Sequence, residues 1–117
     1  MPDTRSPKSL LPLKHLDYLA LLSLVDQDLH GYGIKKEIER RTEGRLSPGA
    51  GSLYRCLGQL EDRGLIEESS WRPDPALDDD RRRYFRITRW GREVAAAETD
   101  RLASLVRAAR ASDLLSS

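Results

Sequence analysis

Apolar residues recur along this chain with two different periods, and the change of period divides it into elements. Between Leu13 and Val25, Leu16, Leu19, Leu22 and Leu24, joined by Tyr18, Leu21 and Val25, cover most of a helix circumference. A helix patterned in this way packs on more than one side. Ile34 and Ile38 lie one turn apart, with Lys35, Lys36, Glu39 and Arg40 towards solvent, which predicts a second helix ending at Gly44. Leu53, Leu57 and Leu60, flanked by Ala50 and Cys56, form the buried stripe of a third helix. Gly51, Ser52, Arg55, Gly58 and Gln59 fall on its opposite face. Two strand-like segments follow, Leu65–Trp71 and Arg82–Ile87; in the second, Phe85 and Ile87 share one face and Arg82, Tyr84 and Arg86 the other. A last helix to about Ala111 carries the apolar stripe Val94, Ala95, Leu102, Leu105, Val106 and Ala109, interrupted by Glu98 and Arg101.

Turn and cap residues sharpen these boundaries. Pro2, Pro7 and Pro12 make residues 1–12 read as a loose arm, and the run DQDLHGYG at 26–33 as a turn into the second helix. Arg45, Leu46 and Ser47 fit a short edge strand, with Ser47 as N-cap and Pro48 opening the third helix. Gly64 should end that helix, with Leu65 folding back on Leu60 in a Schellman cap. Pro73 and Pro75 interrupt any pairing through RPDPALDDDR, so the two strands form a hairpin with a long tip. Thr88 is placed to N-cap the last helix. Gly49 and Gly51 stand out: glycine inside a helix costs about 1 kcal/mol relative to alanine, so the missing side chains point to a close approach from outside.

The 117 residues suit one domain with an extra helix. No apolar stretch is long enough for a bilayer, and MPDTRSPKSLLPLK lacks the apolar core of a signal peptide, so a cytoplasmic protein with no membrane partner is expected. The single cysteine, Cys56, gives neither a disulfide nor a zinc pattern and reads as a small core hydrophobe. No nucleophile motif accompanies His15 or His30, and Asp78, Asp79 and Asp80 lack the spacing of a calcium loop. Neither an enzyme, a metal nor a cofactor is expected. The formal net charge of +1 leaves any electrostatic signal local. Arg81, Arg82 and Arg83 follow three aspartates, and Arg72, Arg86 and Arg89 lie nearby.

The fold class is mainly α with a small β-hairpin. The element order makes a winged helix-turn-helix over 13–88, followed by a C-terminal dimerisation helix over 89–111 and a tail over 112–117. In this arrangement the third helix enters a DNA major groove and the hairpin tip reaches a neighbouring groove or backbone. The glycines would let the helix N-terminus approach a phosphate without an intervening side chain. Candidate DNA contacts are Ser47, Gly49, Gly51, Ser52, Tyr54, Arg55 and Gln59, with Lys35 on the second helix and Arg82 and Arg83 in the wing. Tyr54 sits at the edge between the core and exposed faces. A last-helix stripe with nothing of its own to cover implies a partner helix, so Val94, Leu102, Leu105, Val106 and Ala109, with Leu16 and Leu19 of the first helix, are candidate dimer contacts.

HGYGIKKEIE at 30–39, SPGAGSLYRCLGQLEDRGLIEESSW at 47–71 and RRRYFRITRWGRE at 81–93 together resemble the short PadR-like transcriptional regulators. The resemblance rests on the small-residue helix start, Leu53 with Tyr54, Gly64 to Ile66, Trp71, and Tyr84 to Thr88. It implies a homodimeric repressor that binds double-stranded DNA, dimerises through its last helix and is often released by a small aromatic effector. Trp90 is a candidate for lining an effector pocket, and equally for a core or interface anchor. The wing departs from the family's usual glycine and basic residues, because Asp78–Asp80 precede the arginines. The alternative is a winged-helix adaptor that binds protein and no specific DNA.

Overall fold

Leu21, Leu24, Ile34, Ile38, Leu57, Leu60, Leu65, Ile66, Phe85 and Val94 are almost wholly removed from solvent and form one core. They come from every major element of the computed structural model, which describes residues 6–71 and 82–114. The helices are α1 (His15–Ser23), α2 (Gly31–Arg41), α3 (Ala50–Asp62) and α4 (Arg89–Ala111). The strands are β1 (Leu29–His30), β2 (Ile66–Ser69) and β3 (Tyr84–Ile87). β3 lies between β1 and β2, antiparallel to both, with Phe85 opposite Leu29 and Glu68, and Tyr84 opposite His30 and Ser69. Residues 1–5 of the arm, the hairpin tip with Asp78, Asp79, Asp80 and Arg81, and residues 115–117 of the tail lie outside the described residues.

Several caps match the local sequence signals. Gly64 has φ +74° and Leu65 N–H donates to Leu60 O at 2.9 Å, which closes α3 in a Schellman turn. Thr88 Oγ1 accepts from Gly91 N–H at 3.0 Å and donates to Gly64 O at 2.6 Å, so one hydroxyl caps α4 and ties it to the end of α3. Gly91 is required by packing, since a Cβ there would lie 2.0 Å from Leu65 O.

Other expectations are corrected. The short strand forms at Leu29–His30 and not at 45–47, because residues 29–30 are the ones that reach the open edge of β3. Leu46 is instead tied to the end of α2, its N–H donating to Thr42 Oγ1 at 3.1 Å. Ser47 does not cap α3: its hydroxyl donates to Glu39 Oε2 at 2.5 Å, and the cap is Gly49, which offers no side chain. α2 begins earlier than the sequence suggests, because His30 Nδ1 accepts from Gly33 N–H at 2.9 Å and fixes the first turn at Gly31. α1 begins at His15 and not at Leu13, whose N–H is taken by Glu98 Oε2 at 3.0 Å. In the arm, Pro7–Leu10 form a 3-10 turn against α4, and Leu10 and Leu11 pack on the core, so this part is not loose.

The dimer stripe is corrected in part. Val94 and Leu19 are buried in the chain's own core, and Leu16 packs against it. The N-terminal half of α4 therefore has a partner within the chain. Glu98, which interrupts the stripe, is itself buried; Arg101 and then Leu13 N–H hold its carboxyl below the usual carboxylate range. Only the later half turns outward, with Leu102 and Ala109 half-buried and Leu105 and Val106 exposed.

Candidate nucleic-acid interface

The inner face of α3 is anchored in two ways. Leu53, Leu57 and Leu60 enter the core, and Cys56 and Arg63 both reach Asp17 of α1. The Cys56 thiol donates to Asp17 Oδ1 at 3.1 Å and Arg63 Nη2 donates to Asp17 Oδ2 at 2.8 Å, so a buried carboxylate holds α3 at its middle and at its C-cap, seven residues apart. Burial, and then the Asp17 carboxylate, push the Cys56 thiol well above its ordinary value, and it stays protonated and unreactive. With its inner face fixed in this way, α3 presents its outer face in one orientation.

That outer face carries most of the predicted residues. Gly51, Ser52, Tyr54, Arg55 and Gln59 are all exposed, and Gly49 stands exposed at the N-cap. Among the described residues, a Cβ added at Gly49, Gly51 or Gly58 would meet no atom within 4 Å, and none of the three has positive φ. Neither packing nor backbone conformation within the chain requires glycine there. Among the described residues Arg55 forms no ion pair. Ser47 is exposed but bonded to Glu39, and Lys35 lies half-buried on α2.

The two wing arginines diverge. Arg82 Nη1 lies 3.2 Å from His30 Nε2, while Arg83 lies over the Phe85 ring, 5.0 Å from its centroid. Arg83 Nη2 donates to Glu61 Oε2 on α3 at 2.8 Å, and Arg83 Nε lies 3.4 Å from Glu68 Oε1 on β2. Arg86 is paired with Glu67 at 2.8 Å. Among the described residues, the carboxylates that meet the root of the wing are glutamates of α3 and β2. Tyr84, expected on the outer face with the arginines, is buried there because the His30 and Trp71 rings pack edge-on against it, with centroids at 5.1 and 5.9 Å. Trp90 is half-buried against the core. A cleft of about 700 Å³ lies elsewhere, between the Pro7–Leu10 turn and α4, where Leu11, Ala97 and Leu105 face it.

Sequence reasoning missed His30 as a cap and Asp17 as an anchor. Histidine is an uncommon cap, and an aspartate among leucines carries no periodic signal. Glu98 and Arg101 stood out only as interruptions of the apolar stripe, and their i, i+3 spacing is the signal that marks them as a pair.

Residues 19–97 match the family described as the transcriptional regulator PadR-like family. The chain is 38% identical over 87 residues to an uncharacterised 37.1 kDa protein in transposon TN4556 of Streptomyces fradiae; the match covers 74% of this chain and 23% of that one. An uncharacterised protein of Lysinibacillus sphaericus is 33% identical over 78 residues, covering 67% of this chain and 69% of that one. Among solved structures, a PadR family transcription regulator from Clostridium difficile superposes with TM-score 0.68 at 21% identity, covering 83% of this chain and 96% of that one. Bacillus subtilis PadR in complex with operator DNA superposes with TM-score 0.59 at 21% identity, covering 76% of this chain and 47% of that one. Both superpositions establish the winged-helix fold. No helix among the described residues is long and apolar enough to cross a membrane.

Proposed function

This chain belongs to the PadR-like family of transcriptional regulators, and from that membership we propose that it is a homodimeric repressor that binds duplex DNA through α3. One observation carries the reading: Gly51 and Gly58, inside α3, meet no described residue where a Cβ would stand and have no reason within the fold to be glycine. A helix that keeps two such residues beside an exposed arginine, with a third glycine at its cap, is shaped for another backbone to come close. Ser52, Arg55 and Gln59 supply donors and acceptors of the kinds that read base edges, and the uncapped N–H groups near Gly49 face where a phosphate would lie. Lys35 and Arg82 belong to the flanking phosphate contacts of the same reading, while Arg83, the third candidate, is held by Glu61 and Glu68 and is expected to add no phosphate contact of its own.

The dimer is assigned to Leu102, Leu105, Val106 and Ala109, the part of α4 that is half-buried or exposed within the chain, and is expected to set two recognition helices about 34 Å apart on one face of DNA. Truncating α4 is a poor test, since it removes Val94 and Glu98 from the core. Aspartate at both Leu105 and Val106 should instead give a folded monomer by sedimentation. An aromatic effector near Trp90 belongs to the same reading, supported by the family resemblance and by the ring's half-buried place at the head of α4. In a Trp71→Phe protein, Trp90 fluorescence should change as the effector releases DNA.

The deciding experiment is titration of purified protein against random-sequence duplex, and against duplex enriched from it, at several salt concentrations. A regulator loses affinity linearly in log salt, with a slope of about 0.9 per phosphate neutralised. An adaptor shows no such binding, and that result overturns the reading.

A further inference from the structure

Tyr54 is 59% exposed on α3, yet its ring rests on a specific neighbour. A Cβ built on Gly31, the first residue of α2, would lie 2.8 Å from Tyr54 Oη, 3.0 Å from its Cζ and 3.1 Å from its Cε1; the three nearest atoms all belong to that ring. Gly31 does not have positive φ, so its conformation is open to any residue. What the bare Cα provides is room for the phenol.

The other glycines make this specific. Gly91 is held by backbone, with Leu65 O in the way, so a side chain there would displace the fold. At Gly31 the obstructed group is the far end of an exposed side chain, which can swing into solvent while the core stays in place. The ring bridges the starts of α2 and α3, on the exposed surface that also carries Gly51 and Arg55.

We propose that Gly31 is a positioning residue: it seats the Tyr54 ring in advance, so that the phenol hydroxyl stands ready to donate to a backbone phosphate of bound duplex. This rests on the DNA-binding reading above. An exposed tyrosine otherwise loses rotamer freedom on binding, and holding it beforehand is worth about two- to tenfold in affinity. Methyl-sized bulk at Gly31 removes that advantage and moves the hydroxyl off its target.

The test uses the full chain and a random-sequence duplex at low salt, with Gly31→Ala, Tyr54→Ala and the double variant. Gly31→Ala should weaken binding about two- to tenfold and Tyr54→Ala about tenfold, as for a hydrogen bond to a charged group. The double variant should bind no worse than Tyr54→Ala, because with the ring gone the methyl has nothing to displace. The thermal midpoint of Gly31→Ala should not fall. Nuclear Overhauser contacts between the Tyr54 ring and Gly31 Hα should be present in the wild type, and Gly31→Ala should abolish the ring's contacts to position 31. Wild-type binding with Gly31→Ala unchanged, losses that add in the double variant, or absence of the wild-type contact each overturn this inference alone. A wild type that binds no duplex overturns the DNA-binding reading and this inference with it.

Discussion

The outer face of α3 and the root of the wing both present arginine, but the two regions use it differently. Arg55 stands on a helix face lined by glycines with nothing within reach of their Cα atoms. Arg83 lies on an aromatic ring between Glu61 and Glu68. A cation already held by two carboxylates gives up those partners when it binds a phosphate, whereas one in water gives up only hydration. A count of basic residues therefore overstates the wing and understates the helix.

The largest expected effect comes from filling the open face. Leucine at Gly51 or Gly58 should weaken duplex binding about ten- to a hundredfold, the usual cost of forcing bulk into a close contact. In the free protein Gly58→Leu should raise stability by about 0.5–1 kcal/mol, since it replaces a helix-interior glycine with a good helix former. Binding and thermal melts read in parallel separate the two, and a variant that keeps full DNA affinity would break the comparison on the α3 side.

Next in size is Arg55→Ala. It should cost about 1–3 kcal/mol on the enriched duplex, with a much smaller loss on random sequence, if the side chain reads a base edge. Equal losses on both duplexes would turn Arg55 into a phosphate contact and bring the two regions closer together.

The smallest effects belong to the wing root. Arg83→Ala should leave the salt slope of binding unchanged and shift stability by less than about 1 kcal/mol, as for other exposed pairs. Glutamine at both Glu61 and Glu68 should steepen the slope by up to about 0.9 per subunit, because the freed guanidinium can then neutralise a phosphate. A slope that falls on Arg83→Ala alone would show the glutamates yielding to DNA, and the contrast between the regions would disappear.

Where an element depended on neighbours in sequence, its form was legible. The Gly64–Leu65 turn, the Thr88 cap and the Leu53–Leu57–Leu60 stripe are set by residues within one or two helical turns, and the structure carries each as expected. Ser47 shows where that reasoning fails: it has the right type and position for a cap, but Glu39 competes for its hydroxyl across eight residues. The α4 stripe shows a second limit. Periodicity identifies which residues are apolar on one face, and it cannot say that Val94 is buried in its own chain while Leu105 stays exposed.

The sequence by itself determined the types of the four helices and of β2 and β3, the end of α3, the start of α4, the winged order and the composition of the outer face of α3, because these follow from local periods and turn chemistry. Tertiary structure alone decided that Leu29–His30 completes the sheet, that Asp17 grips Cys56 and Arg63, that Arg83 faces glutamates and that Gly31 lies under Tyr54. Each of these joins residues fifteen or more positions apart, and such contacts exist only once the core has fixed the distances between elements.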